Sequence, residues 1–138
     1  MRAPFSMPLA QIDERRFITA CRHGLVHLIW ERATIRFSRD EFRQLAGLLE
    51  RAAGARIAFT VQEDEMHVTC DLNQGGEVRV GSSSLILSAS EFHELVWAVG
   101  EAVRRLDEIL ASGIWDQEPE PPQDSFLEQL RRASFSDN

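Results

Sequence analysis

Apolar residues alternate with polar or small ones in short runs along much of the chain, and in two places the period lengthens from two to nearly four. Alternation sets every second side chain on one face of an extended strand, whereas a period near 3.6 draws an apolar stripe along a helix. Strands are therefore predicted at Phe17–Cys21, Val26–Trp30 and Ala33–Phe37, with Glu31-Arg32 as a tight hairpin between the last two. A helix follows over 38–53, its stripe formed by Phe42, Leu45, Ala46, Leu49 and Ala52. Ser38 is placed to cap it, with Glu41 as the reciprocal partner, and Gly54 to end it.

The plan then recurs. Arg56–Gln62, Met66–Asp71, Glu77–Val80 and Ser84–Leu87 are predicted strands, with Glu63-Asp64-Glu65 an acidic turn and the Asn73–Gly76 and Ser82–Ser84 segments hairpin turns. A longer helix, capped by Ser88, runs to about Leu110 with the stripe Phe92, Leu95, Val96, Val99, Val103, Leu106 and Leu110. Ser38-Arg39-Asp40-Glu41-Phe42 returns as Ser88-Ala89-Ser90-Glu91-Phe92, a shift of 50 residues. At that shift Thr19 meets Thr69, Leu45 meets Leu95 and Ala52 meets Ala102, while Ile18/Val68, Leu28/Val78, Ile35/Leu85 and Phe37/Leu87 stay apolar. Identities and elements coincide without a gap, as they do in a duplicated unit.

These patterns predict an α+β fold. Internally duplicated strands-then-helix units build an antiparallel sheet of seven strands, with two helices on one face and a pseudo-two-fold axis between the units. Residues 1–14 are expected to be a flexible N-terminal segment, 15–55 the first β-β-β-α unit, and 56–113 the second, β-β-β-β-α, unit of the same domain. Residues 114–138 change character. Glu118-Pro119-Glu120-Pro121-Pro122 lacks the apolar residues that offset chain ordering, so an acidic Pro-rich linker is expected there. Beyond it Phe126, Leu127 and Leu130 mark a short amphipathic tail, too short to be a stable helix alone.

Composition narrows the function classes. A chain of 138 residues with 43% hydrophobic and 27% charged residues suits one globular domain with one core. The net charge of -7 disfavours a nucleic-acid or acidic-membrane binder, which draws its affinity from a basic surface. Charge is unevenly placed, however: residues 1–57 carry 10 Arg against 6 acidic residues, and 58–138 carry 5 Arg against 16. Cys21 and Cys70 are too few for a disulfide scaffold and fit a reducing cytoplasm. Neither the start, Met1 to Pro8, nor the run Leu25–Trp30 has the length and apolarity of an export signal or a membrane span.

Catalytic patterns are weak. Gly81-Ser82-Ser83-Ser84 lacks the second glycine of a nucleophile elbow, and Asn73-Gln74-Gly75-Gly76 lacks the lysine and spacing of a phosphate loop. Cys21, His23 and His27 form the one cluster suited to a transition metal or haem, yet alternation points His27 away from Val26, Leu28 and Trp30, and the spacing leaves a closed ligand set incomplete. Surface aromatics say more. Trp97 falls about 140° round the helix from Phe92, outside the apolar stripe and on the side of His93, Gly100 and Arg104. Tryptophan and arginine dominate binding hot spots, and the equivalent of Trp97 in the first unit is Gly47.

The expectation is a non-enzymatic, cytoplasmic protein-interaction module, an adaptor or chaperone-like assembly factor. It binds another protein, or a second copy of itself, through His93, Trp97 and Arg104 on the second helix and Phe126, Leu127 and Leu130 in the tail. No cofactor, nucleic acid or membrane is expected among its partners. The competing class is a small-ligand or metal/haem-binding domain using Cys21, His23 and His27.

Overall fold

The computed structural model describes residues 6–54, 59–71 and 74–115. Their elements run β1 (Ser6–Asp13), β2 (Arg16–Cys21), β3 (Leu25–Trp30), β4 (Ala33–Ser38), α1 (Arg39–Ala53), then β5 (Phe59–Glu63), β6 (Met66–Asp71), β7 (Gly75–Val80), β8 (Ser83–Leu87) and α2 (Ala89–Ser112). The fold is mixed α+β, made of two repeated strand-helix units. All strand pairing is antiparallel, and the strands divide into two four-stranded sheets of order β1-β2-β3-β4 and β5-β6-β7-β8. Each sheet is a run of consecutive hairpins, the arrangement that short connections favour.

β1 lies inside the 1–14 segment that sequence patterning assigns to a flexible terminus, and it completes the duplication by giving the first unit four strands. Leu9 and Ala10 are buried in the core. Pro8 breaks the strand signal in the sequence, but β1 is an edge strand, where a residue without an N–H is tolerated. Its pairing with β2 shifts register between Pro8 and Ala10 and again between Gln11 and Asp13. A second difference concerns Gly75 and Gly76, which open strand β7 instead of forming a turn. A Cβ on Gly76 would stand 2.7 Å from both the Phe92 ring and the Thr69 carbonyl oxygen, and one on Gly75 would collide with the Leu87 carbonyl. Glycine is there for close packing of backbone on backbone.

Both helices start as their sequences dictate. Ser38 and Ser88 accept from the Glu41 and Glu91 N–H groups, and those two carboxylates accept in return from the serine N–H groups, so each helix has a complete capping box. α1 buries Phe42, Leu45, Leu48, Leu49 and Ala52; α2 buries Phe92, Leu95, Ala98, Val99, Ala102 and Leu106. The buried arc thus turns toward Leu48, Ala98 and Ala102, beyond the predicted stripes. The cause is tertiary: α1 packs on β3 and β4 but also on β5 and β6, α2 on β7 and β8 but also on β1 and β2, and the helices pack on each other. Each helix therefore serves both sheets, and one continuous core results. Trp115, two residues past the predicted end of the body at Gly113, is half-buried against that core. The predicted start of the fifth strand at Arg56, and the whole tail with Phe126, Leu127 and Leu130, lie outside the described residues.

Candidate functional site

α2 carries Trp97 near its middle, on the side that points away from the core. Its side chain is 55% exposed, whereas Ala98 and Val99 next to it are buried. The first unit exposes the equivalent position too, but fills it with Gly47, whose missing Cβ would meet nothing within 4 Å. The duplicated scaffold thus offers the same outward-facing helix position twice, and one copy places the largest side chain there.

Trp97 is one wall of a shallow groove of about 250 Å³ between α2 and the edge strand β1. Glu101 and Arg105 continue that wall at the next two turns, and Pro8, Leu9, Ala10 and Gln11 form the other. The spacing of 97, 101 and 105 is the i, i+4, i+8 series of one helix face. The groove offers an aromatic surface beside a proline ring, with one anionic and one cationic group along its length.

Of the described residues singled out in the sequence, the structure brings only Trp97 into this groove. His93 is exposed one turn earlier, with its ring 6.5 Å from that of Phe92. Arg104 turns to its own helix: it donates to both Glu101 and Glu108, the second at 2.6 Å. Hydrogen bonding to the Arg104 guanidinium holds the Glu101 carboxyl below the usual carboxylate range, so Glu101 stays ionised. Arg105, not Arg104, lines the groove. Sequence patterning missed Pro8, Leu9, Ala10 and Gln11 because Pro8 hides their strand and the register shift between Pro8 and Ala10 buries Leu9 and Ala10 together, which interrupts the period of two.

The metal candidates are placed apart in role. Cys21 is buried at the end of β2, His23 sits in the following turn, and His27 lies on β3 between Thr19 and Arg36. Among the described residues no group of three or more His, Cys, Asp or Glu side chains could hold a metal ion. No described helix is long and apolar enough to cross a membrane. Comparisons with protein-family models, with curated proteins and with solved structures give no significant match to this chain.

The outer face of the second sheet has a different chemistry from the groove. Gln62, His67, Arg79 and Ser84 form one cross-strand row and Thr60, Thr69, Glu77 and Ile86 the next. His67 Nε2 lies 2.7 Å from Gln62 Oε1, while Glu77 accepts from Ser84 at 2.9 Å and from Arg79 at 3.2 Å. These bonds draw the Glu77 carboxyl below its usual range, Ser84 contributing most. The polar groups satisfy one another across the strands, as side chains on a solvated sheet face do.

Proposed function

We propose that the protein is a non-enzymatic protein-interaction module, an adaptor or assembly factor of the cytoplasm, whose anchor is Trp97 in the groove between α2 and β1. The observation that carries this reading is the half-exposed Trp97 at a position where the duplicated unit has glycine. An exposed tryptophan adds nothing to the core, and a large aromatic surface in water is unfavourable unless a partner covers it. An apolar side chain of a protein partner would insert between the indole and Pro8, with a charged pair matched to Glu101 and Arg105. Such a mode concentrates affinity in one aromatic anchor and leaves orientation to the charged rim.

Phe126, Leu127 and Leu130 enter the same reading as a second contact, an apolar triplet on an acidic spacer. The test is site-specific photocrosslinking in the native host, with the crosslinker placed at exposed Gln11 on the opposite wall of the groove, which leaves Trp97 in place, and, as a control, at exposed Thr34 on β4. A protein partner captured from position 11 and not from position 34, and lost in Trp97→Ala, is the expected result. Equal capture from both, none from 11, or capture unchanged in Trp97→Ala would remove the groove from consideration.

A further inference from the structure

The duplication also sets two edge strands side by side for comparison. β4 and β8 each end their sheet, and each is joined to its neighbour by a two-residue turn, closed by Trp30 opposite Ala33 and by Val80 opposite Ser83. In such a hairpin the closing pair is hydrogen-bonded and bonded pairs alternate along the ladder. The backbone groups that face away from the hairpin therefore belong to Thr34 and Arg36 on β4, and to Ser84 and Ile86 on β8.

Free sheet edges template pairing with other chains, and proteins blunt them with charge, proline or bulges. β1 carries Pro8 and two register shifts. β4 carries exposed Arg36, with Arg32 and Arg39 at its ends, and β5 closes on Glu63 beside Asp64 and Glu65. Among the described residues β8 has no such device. Its sequence Ser-Ser-Leu-Ile-Leu holds no charge and no proline, its pairing with β7 is regular, and Ile86 is 84% exposed.

We propose that β8 is a self-association edge, through which two copies of the chain pair antiparallel about a two-fold axis at Leu85 and join their β5–β8 sheets into one. The occupant is a second copy because the edge is complementary to itself. With Leu85 on the axis, Ser84 of one copy opposes Ile86 of the other, and the outward N–H and C=O groups of both residues are satisfied on both strands. Such an isologous contact closes on itself and stops at two copies. The absence of charge on β8 removes like-charge repulsion, whereas the same pairing through β4 would gather Arg32, Arg36 and Arg39 of both copies. Position 36 and position 86 are equivalent in the duplication, so arginine in one unit guards what isoleucine in the other leaves open.

The test is sedimentation equilibrium of the full chain across the micromolar range, with hydrogen exchange read at the Ser84 and Ile86 amides. A dimer is expected, with exchange at those two amides slowing as protein concentration rises. Ile86→Arg, which copies the first unit, and Ser84→Pro, which removes an outward N–H and the Ser84–Glu77 side-chain hydrogen bond but no backbone bond to β7, should each weaken association by at least about tenfold while circular dichroism stays native. Trp97→Ala should leave the dimer intact, which separates this contact from the groove. A wild-type monomer throughout, concentration-independent exchange at both amides, either folded β8 variant associating like wild type, or loss of the dimer in Trp97→Ala would each overturn the proposal.

Discussion

Arg16 on β2 donates to Glu94 on α2 at 2.6 Å, fastening the first sheet to the helix of the second unit. The reciprocal joint lies 50 positions away: Gln44 on α1 donates to Asp64, in the β5–β6 turn, at 2.9 Å. Residues 44 and 94 are equivalent in the duplication, and each reaches the first hairpin of the other unit. Arg16 does more than its counterpart, since it also bonds Asp13 at 2.8 Å and places its guanidinium 5.2 Å from the centre of the Trp30 ring. Its side chain is only 15% exposed. Arg16→Ala should lower stability by about 1–2 kcal/mol, mostly through the lost ion pair and cation–π stacking. A double-mutant cycle with Glu94→Gln should return a coupling of about 0.5–1 kcal/mol that weakens with added salt. Chemical denaturation of the four proteins measures both.

Gly76 tests how far the two units can be made alike. Its equivalent in the first unit is Val26, which is fully buried. Gly76→Val should destabilise by about 2–3 kcal/mol, because the added atoms press on the Phe92 ring and on the Thr69 carbonyl, and backbone cannot move aside cheaply. A thermal midpoint equal to that of the wild type would show that β7 and α2 can separate to admit the side chain.

Gly47 and Gly100 lie inside helices with nothing within 4 Å of where a Cβ would stand, and both are exposed. Alanine at either position should raise stability by about 0.5–1 kcal/mol, chiefly by restricting the unfolded chain. Gly100 is one turn from Trp97, so Gly100→Ala can be gained in stability yet still be felt in the groove. Denaturant midpoints report the first effect and crosslinking yield from position 11 the second.

Among the described residues, acid should act through three carboxylates. Asp13 is held below its usual 3.8, chiefly by hydrogen bonding to Arg16, and Glu77 and Glu101 are held below their usual 4.5 by Ser84 and Arg104 respectively. Groups with a lowered folded-state pKa contribute stability that is fully present above the unfolded value and is lost as pH falls through the folded one. Unfolding free energy should thus be level at neutral pH with respect to these groups, begin to fall as pH nears 4.5, and keep falling below 3.8. Asp13→Asn should lower neutral stability and flatten the lowest part of that curve. Urea titrations at stepped pH measure the slope.

The class of fold, the capping boxes, both described helices and seven of the eight described strands follow from the order of side chains, because these features depend on neighbours a few residues apart. Ser38 with Glu41 and Ser88 with Glu91 are local geometry, and so is the outward direction of Trp97. The sequence also reveals the duplication from the second strand of each unit onward, since a repeat is a comparison of the chain with itself; β1, which completes the first unit, came only with the fold. Tertiary structure decided the rest. Alternation says that one face of a strand is buried and leaves open what buries it, so the division into two sheets, and each helix lying across both, could be read only from the fold. Pro8 forbids a central strand but allows an edge, and which strand is an edge is a property of the assembled sheet. The groove beside Trp97 required β1 to be placed against α2, and the central role of Arg16 required Glu94, 78 residues away, to arrive at its guanidinium.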